Sequence, residues 1–146
     1  MNIKYMDIAY EEAKKAFSIN EVPVGAVIVY DNKILTKNHN TKRKENNVCN
    51  HAEILSIIDA TKKLGDWRLS DCEMYITLEP CPMCAGAILN SRIKKIYIGA
   101  ESNLKENKII MYKILNNKEL NHQTEIIYLK NEKCSKILTD FFSQKR

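Results

Sequence analysis

The sequence predicts an α/β fold, and three observations carry the prediction. Segments with apolar residues at three- and four-residue spacing alternate with short β-branched runs along the whole chain. The 146 residues suffice for one domain with a real core, residues 1–146, and not for two. Two short motifs rich in metal-binding groups, His51-Ala52-Glu53 and Pro80-Cys81-Pro82-Met83-Cys84, each fall where a helix is expected to begin.

The elements follow in order. Residues 3–19 read as a helix whose apolar face is Met6, Ala9, Tyr10, Ala13, Ala16 and Phe17, with Glu11, Glu12, Lys14 and Lys15 largely elsewhere. Val22 to Tyr30 reads as a strand, Asp31-Asn32 as a turn and Lys33 to Thr36 as the returning strand of a hairpin. Gly25 and Ala26 are small for a strand, which suits close approach of either a ligand or the first helix. Residues 37–50 are polar and aperiodic and read as a long loop, with a basic run, Lys42-Arg43-Lys44, that reads first as a solvated loop. Residues 52–63 form the second helix and Gly65 ends it. Glu73 to Leu78 is the next strand, and residues 81–90 form a helix with both cysteines in its first turn. Lys94 to Gly99 is a strand, 101–108 a polar stretch, 109–115 a short helix, 125–129 a last strand and 132–144 a closing helix.

Composition narrows the class. Hydrophobic residues make up 45% and charged residues 28%, as in soluble globular proteins. No apolar run approaches the roughly 18 residues a membrane helix needs. The N-terminal segment carries acids and bases among its apolar residues, unlike a signal peptide, so a cytoplasmic location is expected and no membrane. Five cysteines, at 49, 72, 81, 84 and 134, argue against a disulfide framework in such a chain. Cys49, Cys72 and Cys134 read as reduced thiols, with Cys49 close enough in sequence to His51 to approach the same metal. A net charge of +5 and a pI of about 8.9 are compatible with a nucleic-acid partner, although the chain is rich in Lys, Asn and Ile throughout.

The two motifs together offer one imidazole, two thiols and one carboxylate. His51, Cys81 and Cys84 suit zinc, and three protein ligands leave its fourth position for water, as in catalytic rather than structural sites. Glu53, two residues from His51 at a helix start, points to a different side and suits proton transfer to or from that water. The helix N-terminus lowers the cost of thiolate at the cysteines. Alone, Cys-x-x-Cys also fits a redox dithiol, and His-x-Glu is weak; their conjunction, His-x-Glu with Pro-Cys-x-x-Cys, marks zinc-dependent nucleobase deaminases.

Further residues sharpen the match. Glu21 to Val27 (EVPVGAV), His51 to Ile54 (HAEI), Thr77 to Ile88 (TLEPCPMCAGAI), Ser91-Arg92-Ile93 and the terminal Asp140-Phe141-Phe142 resemble the bacterial tRNA-specific adenosine deaminases of the cytidine/deoxycytidylate deaminase superfamily over nearly the whole chain. The resemblance implies a cytidine-deaminase-like three-layer α/β/α fold with a five-stranded mixed sheet. It implies a homodimer, one zinc ion per chain held by His51, Cys81 and Cys84, and Glu53 as the catalytic proton shuttle. It implies contacts to the target nucleoside from Asn40, the main chain at Ala52, Val24 and the position of Ser102, with His122 facing either RNA or the protein's own packing. The chain departs from the family at Ser102, where an Asp is usual, in the charged-then-apolar run 105–110, and at Thr41-Lys42, where Arg-Pro is usual.

The reaction so implied is hydrolytic deamination of adenosine to inosine at the wobble position, 34, of a tRNA anticodon loop, of the arginine ACG type. Zinc would make its water acidic enough to ionise near pH 7, and one carboxylate can serve as base and then acid. An anticodon loop offers an already unpaired base. Two other readings stand beside it. A deaminase of free guanine, cytosine or a nucleoside would share the motif without an RNA surface. An inactive zinc-containing RNA-binding subunit would have no use for Glu53.

Overall fold

The computed structural model describes residues 2–144. The element order is α1 (Ile3–Ser18), β1 (Gly25–Tyr30), β2 (Lys33–His39), α2 (Ala52–Leu64), β3 (Cys72–Leu78), α3 (Pro82–Asn90), β4 (Lys95–Ala100), α4 (Lys105–Leu115), β5 (Glu125–Tyr128) and α5 (Glu132–Ser143). The strands form one sheet in the order β2-β1-β3-β4-β5. β1 is antiparallel to both its neighbours, and β3, β4 and β5 are parallel. α1 and α5 cover one face, and α2, α3 and α4 the other. This is the expected three-layer arrangement with a five-stranded mixed sheet.

The pleat distributes the strand residues between two cores. Ala26, Ile28, Met74, Ile76, Ile96 and Ile98 meet Ala52, Ala60, Ala85, Ile88, Met111 and Leu115. Val27, Val29, Tyr75 and Tyr97 meet Met6, Ala9, Ala13, Cys134, Ile137 and Leu138. Tyr75 and Tyr97, partners across β3 and β4, stack with ring centroids 4.4 Å apart. Strands buried on both faces explain their near-continuous apolar runs. No helix among the described residues is long and apolar enough to cross a membrane.

The β1–β2 turn places Asp31 and Asn32 at φ 52° and 60°, the left-handed pair that a two-residue hairpin needs and that Asn and Asp tolerate. Several boundaries differ from expectation. β2 runs to His39 rather than Thr36, because pairing with β1 continues to Gly25 regardless of its polar residues; the loop therefore starts at Asn40. β1 begins at Gly25, not Val22. α4 begins at Lys105, not Ile109; its first turn is solvent-facing and so carries no apolar periodicity. Glu12 is buried with α1's apolar residues rather than lying on its exposed side, because it is held there by Lys15 and His39. Of the two readings of Gly25, the structure gives helix packing: a Cβ there would stand 2.0 Å from the Ala9 carbonyl oxygen and 2.7 Å from the Ala13 nitrogen.

This topology gathers the chain's chemistry at one edge of the sheet. Because β1 is antiparallel to β2 and to β3, the end of β2 lies beside the end of β3, with Gly25 at the same level. The Gly25 N–H donates to Thr77 Oγ1 at 3.0 Å, and the Glu79 N–H reaches the Ala100 carbonyl at the end of β4. The carboxyl ends of parallel strands are where open α/β sheets bind ligands.

A candidate metal centre and its cleft

Two helix N-termini converge at that edge. His51 is the N-cap of α2 and Cys81 the N-cap of α3, both in extended backbone conformation, with Pro82 opening α3. Pro suits this first position because its missing N–H has no acceptor there anyway. Cys84 follows in the first turn of α3 and is buried. The His51 Nδ1 lies 3.7 Å from Cys81 Sγ and 3.5 Å from Cys84 Sγ. One ligand atom from each residue lies within 4.8 Å of the others. Tetrahedral zinc with bonds of about 2.0 Å to nitrogen and about 2.3 Å to sulfur sets those atoms about 3.6 Å apart, so the three side chains fit the ion.

The electrostatics agree with an anion-supporting site. Cys81 is lowered to about 4, first by the hydrogen bond from Cys84 and also by His51. Cys84 is correspondingly raised, since its proton serves Cys81. His51 is raised by its bond to Cys81. Both helix N-termini favour the negative charge.

Glu53 sits in the first turn of α2, 3% exposed. Its Oε1 has no hydrogen-bond partner among the described residues, an uncommon state for a buried carboxylate oxygen. Burial pushes its pKa up to about 7. A buried acid with one oxygen unpartnered, beside a metal-type ligand set, is poised to take and give a proton near neutral pH.

These groups open into a cleft of about 320 Å³ lined by His51, Glu53, Cys81, Asn40, Val22 and Val24, with Glu21, Lys42, Arg43, Leu78 and Glu79 completing the wall. That is the size range of small-molecule sites. Asn40 is nearly buried: its Oδ1 accepts the Ala52 N–H at 2.8 Å and its Nδ2 donates to the Val22 carbonyl at 3.1 Å. One amide hydrogen and one oxygen lone pair remain for a ligand. The expectation that the main chain at Ala52 faces the base is modified accordingly. Its N–H, without an intrahelical acceptor in the first turn, is taken by Asn40.

Ser102 does not line this cleft. Its N–H donates to Glu79 Oε1 at 2.7 Å and its Oγ accepts from the Leu104 N–H, so it reaches the site through Glu79, whose other oxygen accepts the Tyr128 hydroxyl. His122 lies elsewhere. Its Nε2 bonds the Ile93 carbonyl at 2.9 Å, ahead of β4 and so at the opposite edge of the sheet, where Thr124 uses the same carbonyl. Cys49 is exposed and outside the cluster. Cys72 and Cys134 are buried free thiols pushed up to about 11 and about 12 by burial. Two buried carboxylates of the cleft wall, Glu21 and Glu79, were not singled out from the sequence, although each is an acid set in an otherwise apolar or Pro-flanked motif.

Comparison with known proteins gives the same picture. The chain matches the MafB19-like deaminase family over residues 2–146. It is 41% identical over 143 residues to a tRNA-specific adenosine deaminase of Bacillus subtilis, covering 97% of this chain and 89% of the relative. A structure solved in studies of A-to-I editing by tRNA:A34 deaminases at the wobble position of transfer RNA aligns with TM-score 0.85 at 34% identity, over 94% of this chain and 100% of that one. A guanine deaminase from Bacillus subtilis aligns with TM-score 0.68 at 31% identity, over 99% and 94% of the two chains. By its fold, its His-Cys-Cys cluster with an adjacent buried glutamate and its full-length similarity, the chain belongs to the tRNA-specific adenosine deaminase family.

Proposed function

We propose that this chain is a single-domain zinc hydrolase, residues 1–146, that converts adenosine to inosine at wobble position 34 of a cytoplasmic tRNA, of the arginine ACG type. The unpartnered buried Oε1 of Glu53, beside a His-Cys-Cys set at tetrahedral spacing, carries the reading. Full-length similarity to tRNA-specific adenosine deaminases supports the substrate.

His51, Cys81 and Cys84 would hold one zinc ion per chain, and zinc bound there supplies a water that ionises near neutral pH. Glu53 handles the protons. It accepts one from the attacking water and delivers it to N1 of the adenine as the C6–O bond forms. It then takes the remaining proton from the new C6 hydroxyl and gives it to the exocyclic nitrogen, so that the C6–N bond breaks with loss of ammonia and the C6 oxygen is left as the carbonyl of inosine. A carboxyl whose pKa lies near 7 can serve as both base and acid. Val22, Val24 and Leu78 give the cleft apolar walls against the ring, and Asn40 offers its remaining donor and acceptor to the base edge. An unpaired anticodon base enters such a cleft at little cost.

A homodimer is part of the same reading. Ile58 on α2, Met83 on α3, and Ile109, Ile110 and Tyr112 on α4 are exposed on one helix layer, which supports pairing of two copies there. The similarity to a guanine deaminase makes free-base turnover the specific competitor. Ammonia release from zinc-loaded protein, measured in parallel on tRNA and on free guanine, cytosine and adenosine, separates the two. Release from tRNA alone is expected. Release from a free base alone would replace this proposal with the free-base reading.

A further inference from the structure

Glu21 is 1% exposed and its carboxylate is fully committed. Oε1 accepts the Arg43 N–H at 3.0 Å, and Oε2 accepts the Lys44 N–H at 2.7 Å. The segment that supplies these donors is a single helix-like turn. The Glu45 N–H bonds the Thr41 carbonyl and the Asn47 N–H bonds the Lys42 carbonyl, so the N–H groups of Arg43 and Lys44 are the free donors at the start of the turn. A carboxylate 22 and 23 residues away in sequence therefore caps this turn as an N-cap side chain caps a helix. The base of the turn is closed separately. The Thr41 N–H meets the Asn50 carbonyl, and the Asn50 amide meets Thr41 Oγ1.

The cap has a geometric consequence. Lys42 and Arg43 are exposed, yet both line the cleft that holds His51 and Glu53. Neither forms an ion pair among the described residues. Of the three carboxylates on the same wall, Glu21 and Glu79 are committed by hydrogen bonds and turned inward. The mouth of the cleft thus presents two uncompensated cations on a turn whose position is fixed by a buried acid.

The geometry points to Glu21 as a positioning residue that holds Lys42 and Arg43 at the cleft mouth, where they bind the phosphodiesters flanking the nucleoside in the cleft and select an oligonucleotide over a free base. This rests on the proposed action on RNA and assigns the selection to a definite set of side chains. A free base has no phosphate to meet the cations, so it gains nothing from them. A single-stranded loop threading past the mouth releases counterions as each phosphate is neutralised.

The test uses zinc-loaded protein, an anticodon stem-loop RNA and three readings. The first is the slope of log binding constant against log salt. The second is the division of the effect between KM and kcat for inosine formation. The third is the rate of tryptic cleavage after Lys42, Arg43 and Lys44. The double change Lys42→Ala with Arg43→Ala is expected to flatten the salt slope by about 1.4 and to raise KM about tenfold, with kcat retained. Glu21→Gln sets an amide NH2 against one of the two N–H donors. It is expected to shift slope and KM in the same direction and to accelerate tryptic cleavage. An unchanged slope and KM in the double variant would overturn the inference. So would a Glu21→Gln protein that loses kcat or zinc while keeping its slope and its tryptic resistance, since Glu21 would then be supporting the metal centre. Should Glu21→Gln fail to fold, Glu21→Asp, which keeps the charge but withdraws it by about 1.5 Å, is judged by the same readings. Wild-type protein that binds the RNA without making inosine would defeat the proposed activity, while the salt slopes would still decide the role of Glu21.

Discussion

At the scale of single residues, Glu53 is the side chain through which the proposed chemistry passes. Gln in its place keeps the shape and cannot carry the proton. Glu53→Gln is expected to lower kcat by about 10²–10⁴ or more while metal analysis still finds one zinc per chain. His51→Ala, Cys81→Ser and Cys84→Ser are expected to lose the metal instead, read as a fall in zinc content before any assay. These four residues are legible in the sequence because ligand type and spacing are local properties of two motifs. Glu21 and Glu79 are not, because what makes them matter is tertiary. Each is buried only when a distant segment, the 42–46 turn or the Ser102 and Tyr128 groups, closes over it. The position of His122 was equally undecidable from sequence, since either an RNA face or the Ile93 carbonyl could have taken its ring nitrogen.

At the scale of elements, α1 meets the end of β2 through Glu12 and His39, next to Asn40 of the cleft. Burial alone would raise the Glu12 carboxyl, but hydrogen bonds and charge from Lys15 and His39 outweigh it and hold the group below its ordinary value. The unfolded chain then binds more protons than the folded one across that interval. The stability Glu12 contributes is present above the unfolded pKa and is lost as pH falls through the folded one. Urea denaturation should show wild type more stable than Glu12→Gln at pH 7, with the gap closing as the pH is lowered below about 4.5. Gly25→Ala places a methyl against the α1 backbone and is expected to cost about 3 kcal/mol, seen as a lower denaturation midpoint. The helices and strands were legible wherever one face is apolar. The run of β2 to His39 and the first turn of α4 were not, because backbone pairing and solvent exposure, rather than side-chain pattern, decide those residues.

At the scale of the whole molecule, the sheet order brings residues 24, 40, 51, 53 and 81 to one cleft, with Cys84 buried in the same His-Cys-Cys cluster. The alternation of elements made an α/β class legible. The five-stranded mixed sheet came with the family resemblance and its strand order with the structure, since periodicity records which face is apolar and not which strand lies next to which. For the same reason the pairing of two copies was not placed by the sequence. Sedimentation is expected to give about twice 16.9 kDa, and Ile109→Glu with Ile110→Glu is expected to yield monomer, because charge on that layer opposes its burial. The most direct test of the proposed activity is inosine at position 34 of an arginine tRNA with an ACG anticodon, made by zinc-loaded wild type and by Glu53→Gln side by side. Inosine with the wild type, and none with the zinc-retaining variant, is the expected result. Equal inosine from both would contradict the role of Glu53, and none from a wild type carrying one zinc per chain would contradict the assigned substrate.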